Sequence, residues 1–274
     1  MYLGIDVGGT KTLVATLDDN GVILENQKFP TPQDYQDFLS KLSIAISQLA
    51  NKDFIAVGIG IPATNINRRE GIAISFANLD WHNVPILQDI ENLTGCPVAL
   101  ENDAKLAGLS EARLRPNIHR LVYLTISTGI GYSLITDQQI DHNIGDGGGS
   151  LMLLEHKGQL VPWESFASGK AIVNTFGLKA HDITDPDTWD KIANNLSVGI
   201  IELIAVTEPD LIVVGGSVGV YLDNFKDSLT QKLKSLETPL LNIPPIEAAI
   251  RPVEAVVYGC YDYALELYGP KNDQ

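Results

Sequence analysis

One pattern constrains this chain more than any other: a strand, a glycine turn and a second strand, written twice. Near the start an apolar run with one carboxylate, Tyr2–Val7, meets Gly8-Gly9-Thr10 and resumes as Thr12-Leu13-Val14-Ala15-Thr16-Leu17. Past the middle, Leu121–Ser127 meets Thr128-Gly129-Ile130-Gly131 and resumes from Tyr132 to Thr136. β-Branched and aromatic residues on both sides of a glycine turn predict antiparallel strand pairs. Asn20-Gly21 then adds a third strand, Val22-Ile23-Leu24, to the first pair.

The two blocks continue alike. Phe54–Ile61 reads as a buried strand, and Leu211–Val214 as a strand running into Gly215-Gly216-Ser217. Apolar residues at helical spacing predict helices over 33–51 (Phe38, Leu42, Ile46, Leu49) and 187–206 (Trp189, Ile192, Leu196, Ile200). Further helices are predicted from Pro85 to the stop at Gly95, over 104–114, over 222–236 and over 255–268, with Gly145–Gly149 as a loop. Val98-Ala99-Leu100 is a short strand that delivers Glu101-Asn102-Asp103. The rough duplication predicts two α/β lobes around a cleft. They are residues 1–107 and residues 108–274, with the terminal helix returning to the first lobe.

Charge narrows the partners. Lys+Arg number 19 against 34 Asp+Glu, a net charge of −15. Such a surface repels nucleic-acid backbones and anionic lipid, so neither nucleic acid nor a membrane is expected as partner. A nest of backbone N–H groups still holds a small phosphate on an acidic protein. The two cysteines, Cys96 and Cys260, form neither a C-x-x-C pair nor a disulfide scaffold. No zinc is expected, and a reducing compartment is. The N-terminus lacks the basic and apolar regions of a signal peptide, and no apolar run reaches the roughly 18 residues that span a bilayer. The expected location is the cytoplasm.

The chemistry-bearing residues sit at strand ends. In Asp6-Val7-Gly8-Gly9-Thr10-Lys11 the backbone N–H groups and a hydroxyl suit phosphate oxygens, and Asp6 suits a hydrated Mg²⁺. A plain hairpin turn is the equal alternative. Thr128-Gly129 is a second phosphate turn or a hairpin. Gly215-Gly216 lets a flat ligand such as adenine approach, or packs strand against helix. Asn102-Asp103 either holds a sugar hydroxyl and takes its proton, or caps a helix. Glu164 is a further hydroxyl acceptor or a solvated glutamate. His142 and His156 are lone histidines of a surface or structural kind.

The order of these segments is specific. Asp-x-Gly-Gly-Thr, Ile61-Pro62, Asn102-Asp103, Thr-Gly-Ile-Gly, Glu-x-x-x-Ser-Gly at Glu164 and Gly215-Gly216 together resemble the ROK family of sugar kinases, within the actin/hexokinase superfamily, over residues 2–268. The resemblance implies two ribonuclease-H-like lobes, with sugar and Mg-ATP meeting in the cleft. It implies Asp103 as general base, with Asn102, Asp103, Asn78 and Glu164 on the sugar. Asp6, Gly8, Gly9, Thr10 and Lys11 become the first phosphate segment, with Asp6 serving the metal. Thr128 and Gly129 become the second phosphate segment, and Gly215 and Gly216 the adenosine segment. The implied activity is ATP-dependent phosphorylation of a hexose or hexose derivative, and the assembly leaves room for a homodimer. The departures are also plain. The family's Glu-x-Gly-His segment and its zinc cysteines are missing, Ala63 stands where a Gly usually follows Ile-Pro, and the second turn continues as Tyr132-Ser133. A sugar-binding sensor or scaffold with weak or no turnover is therefore the alternative.

Overall fold

The opening apolar run becomes a strand buried along nearly its whole length, as the hydrophobic effect demands of a sequence with almost no polar side chains. The computed structural model describes residues 1–270. Its chain divides into two units, Met1–Ser110 together with the chain from Glu254 on, and Glu111–Val253.

The first unit runs β1 (Tyr2–Val7), β2 (Lys11–Leu17), β3 (Ile23–Pro30), α1 (Tyr35–Ser47), β4 (Ala56–Ile61), β5 (Ala63–Asn67), β6 (Ile72–Phe76), α2 (Ile86–Thr94), β7 (Val98–Asn102) and α3 (Asp103–Arg113). Its sheet has the order β3-β2-β1-β4-β7. The β3-β2-β1 part is antiparallel, and β4 and β7 add in parallel. The register carries Asp6 across to Gly60 and Gly60 across to Glu101, so the ends of β1, β4 and β7 share one sheet edge. Phe38 and Trp81 meet at 4.6 Å between ring centroids, with Tyr35 and Phe76 against the same indole. That buried cluster anchors the loop after β6 that carries Asn78.

The second unit runs β8 (Arg120–Ile126), β9 (Ile130–Thr136), β10 (Gln139–Ile140), α4 (Gly148–Leu151), β11 (Leu153–His156), β12 (Gln159–Pro162), α5 (Glu164–Ala167), α6 (Gly169–Phe176), α7 (Pro186–Thr207), β13 (Leu211–Gly215), α8 (Gly216–Gly219), α9 (Lys226–Lys234) and β14 (Ile246–Ala248). Its sheet order, β10-β9-β8-β13-β14, repeats that of the first, antiparallel on one side of β8 and parallel on the other. α7 buries Trp189, Leu196 and Ile200 in a core with Val122, Leu124 and Trp163. The closing helix, α10 (Ala255–Tyr268), packs on β1 and β4 of the first unit. Among the described residues no helix is long and apolar enough to cross a membrane.

The α/β class and the doubled sheet are as expected, and the differences are local. The division falls between Ser110 and Glu111, inside α3, rather than after residue 107. The last four residues assigned to the second lobe, 271–274, lie outside the described residues. The helix expected over 33–51 is shorter, because Asp34 caps it through the Asp37 N–H. The helix expected over 222–236 is broken at Phe225, whose φ of −134° is not helical. Gly148 and Gly149 of the expected loop enter α4. The hairpins β5–β6 and β11–β12 and the strand β14 were not foreseen.

Candidate active site

The turn between β1 and β2 closes when the Gly8 N–H donates to the Lys11 carbonyl at 3.0 Å. A Cβ on Gly8 would lie 2.8 Å from that carbonyl oxygen, so the turn needs a glycine there. Behind it stands Thr31, just past β3. The Thr31 N–H donates to the Thr10 carbonyl at 3.1 Å, and its hydroxyl donates to the Gly8 carbonyl at 2.8 Å. That spends the Thr31 proton, so the buried Thr12 hydroxyl is the donor in the 2.9 Å pair between the two. Both carbonyls of the turn are thereby held from behind. Asn78 lies against its front: a Cβ on Gly9 would sit 3.1 Å from the Asn78 Cβ.

Asp6 lies one residue before the end of β1, and Asp103 opens α3 at the same sheet edge. Burial first, and the Asp103 charge second, push the Asp6 carboxyl up to about 7, with Lys11 opposing. Asn102 is buried. Its Oδ1 accepts the N–H groups of Ala104 at 3.0 Å and Lys105 at 3.2 Å, and its Nδ2 donates to the Ala63 carbonyl at 3.1 Å. Asn102 thus caps the helix through its side chain, and Asp103 also accepts the Ala104 N–H at 2.8 Å. Glu101, fully buried, accepts the Asn102 N–H at 2.6 Å and receives the guanidinium fork of Arg68.

In the second unit the turn after β8 closes through the Ser127 N–H on the Gly129 carbonyl at 2.9 Å. Ser127 is the hub here. Its carbonyl accepts the Gly169 N–H at 2.7 Å, and its Oγ accepts the Ser217 N–H at 3.1 Å. Gly216 has φ +81°, and a Cβ there would lie 2.6 Å from the Ile126 carbonyl oxygen. Glu164 opens α5 and accepts the Ile130 N–H at 3.3 Å, and a Cβ on Gly129 would lie 2.6 Å from its Oε2. Thr128, Gly129, Glu164 and Gly216 therefore come together, and Gly215 ends β13 against the Tyr123 ring. His156 stacks flat on Phe166 at 4.2 Å.

Sequence reasoning missed Thr31, Arg68 and Ser127. Only Ser127 carried a local signal, its place beside a glycine turn. Among the described residues no group of three or more His, Cys, Asp or Glu gathers.

A sheet of this order present twice, each with a glycine turn at the end of its central strand, defines an actin-like ATPase fold. The chain matches the ROK family model over residues 2–259 and belongs to that family. It is 24% identical to the glucokinase of Streptomyces coelicolor, over 85% of this chain and 87% of that protein. It is 29% identical to the N-acetylmannosamine kinase of Vibrio vulnificus, over 80% of this chain and 83% of that protein. Its fold is similar to a ROK family glucokinase from Streptomyces griseus solved with glucose and AMPPNP. The TM-score is 0.83 at 22% identity, covering 97% of this chain and 99% of that one.

Proposed function

We propose that this protein is an ATP-dependent sugar kinase that moves the γ-phosphoryl group of ATP onto a hydroxyl of a hexose or hexose derivative. The observation that carries the reading is the pairing of Asp6 and Asp103 at one sheet edge beside a glycine turn braced by Thr31. Membership of the ROK family and the names of its kinase relatives support it.

In this reading Asp103 accepts the proton of the attacking hydroxyl, because a carboxylate at that place is a base within the ordinary reach of general catalysis. Asn102, fixed by its capping bonds, and Asn78 hold the sugar, and Glu164 takes a further hydroxyl. The N–H groups of Gly8 to Lys11 and of Thr128-Gly129 take phosphate oxygens, and Gly215-Gly216 accepts the adenosine. Phosphoryl transfer is mostly positioning and charge neutralisation, so rigid turns and braced carboxylates are the machinery it needs. A hydrated Mg²⁺ would be oriented by Asp6, and when bound with the nucleotide it would neutralise phosphate charge.

The test is a panel of glucose, fructose, N-acetylglucosamine and N-acetylmannosamine with Mg-ATP, followed by ADP release. One sugar should turn over, and Asp103→Asn should lower kcat by about 10²-fold or more with the melting curve preserved. Binding of a sugar without turnover of any would establish the sensor instead. Full activity in Asp103→Asn would remove that residue from the reaction.

A further inference from the structure

Arg68 lies in the turn between β5 and β6, among Arg-Arg-Glu, where a sequence reader sees a solvated tip. Its guanidinium instead reaches Glu101, a fully buried carboxylate at the end of β7. The Nε donates to Oε2 at 2.8 Å and an Nη donates to Oε1, a bidentate fork that a lysine could not make. Oε1 also accepts the Asn102 N–H at 2.6 Å. One step further, Asn102 caps α3 and Asp103 begins it. The other arm of the Arg68 hairpin, β6, leads directly into the loop bearing Asn78.

We propose that Arg68 is a positioning residue for the sugar side of this site, acting through Glu101 to fix Asn102 and Asp103; the inference rests on the sugar-kinase reading. A buried carboxylate stripped of its countercharge either takes up a proton or turns toward water. Either response alters the acceptor under the Asn102 N–H, and with it the residues that hold and deprotonate the hydroxyl. The first phosphate turn is braced separately, by Thr31. The effect therefore falls on the sugar and spares the nucleotide.

The experiment compares Arg68→Met, Arg68→Lys and the double variant Arg68→Met/Glu101→Gln with the parent. Each is assayed with Mg-ATP and whichever of glucose, fructose or N-acetylmannosamine the parent phosphorylates fastest, and its melting curve is recorded. Arg68→Met should lose about tenfold or more in kcat/KM for the sugar while KM for ATP stays within about twofold. Arg68→Lys should recover only part of that loss, because one ammonium cannot replace the fork. Glu101→Gln in the Arg68→Met background should recover at least about threefold, since a neutral amide needs no guanidinium and still accepts the Asn102 N–H. Parental activity in Arg68→Met, an equal loss for sugar and ATP, or no recovery in the double variant would overturn the proposal. Absence of turnover by the parent would sink the kinase reading. The positioning would then be read from amide exchange, which in Arg68→Met should quicken about tenfold over residues 101–105 and not over 86–94. Unchanged exchange at 101–105 would overturn it.

Discussion

Asp6 is held in a state that water would not choose. A free aspartate titrates near 4, and here burial and the Asp103 charge push it up to about 7. The raised value means that the fold favours the protonated form. The stability that this contributes is complete below about pH 4 and is lost as the pH rises toward about 7. At pH 8 the folded protein therefore carries an unfavourable negative charge, which a cation would offset. Asp6→Asn removes it. The variant should melt above the parent at pH 8, by on the order of 1–3 kcal/mol of stability, and the gap should close toward pH 4. Thermal melts of both proteins at the two pH values check this. A gap of equal size at both would mean that the substitution acts through packing and not through charge.

At the scale of elements, α10 is seated on β4 by missing side chains. A Cβ on Gly58 would lie 2.0 Å from the Cys260 carbonyl oxygen, and a Cβ on Gly259 would lie 2.0 Å from that of Leu106. Gly58→Ala should thus push helix from sheet and cost about 1–3 kcal/mol or more, read as a lower urea midpoint. Gly145→Ala, where nothing lies within 4 Å of the new Cβ, should leave the midpoint unchanged. Equal midpoints for the two variants would show that the helix yields. The same contacts explain what could be read from the sequence. Buried strands and amphipathic helices were legible, because their own side chains state which face is covered. The hairpin β5–β6 was not, since Asn65, Asn67 and Arg68 hide its alternation under polar residues, and Arg68 finds its partner 33 residues away. In the site, Asp6, Gly8, Gly9, Asn102 and Asp103 stood out as contiguous motifs at strand ends. Thr31 and Arg68 act on those motifs from other strands and turns, at sequence separations of 23 and 33, where no local pattern points to them.

On the scale of the whole molecule, the charge is unevenly spent. Of 19 Lys and Arg against 34 Asp and Glu, some of the cations work inside the fold. Arg68 pairs with buried Glu101, and Arg115, itself only 9% exposed, pairs with buried Glu111. Glu111 also accepts the backbone N–H groups of Ile250 and Arg251 at 3.0 and 2.7 Å. Each such pair withdraws one charge of either sign, so the net −15 is spread over a surface poorer in cations than the composition suggests. Exposed like charges repel across the folded surface, and salt screens them, whereas buried pairs are screened little. Raising the ionic strength from ~10 mM to ~300 mM shortens the screening length from about 30 Å to about 6 Å. The melting temperature at pH 8 should then rise by about 2–5 °C, measured in sodium chloride without divalent ions or nucleotide. A fall would mean that surface ion pairs, such as Lys232 with Asp190 at 3.0 Å, outweigh the repulsion. Because Arg68 and Arg115 lie in the screened-little class, Arg68→Met should keep the same salt slope while shifting the whole curve down, which separates the acidic surface from the internal brace.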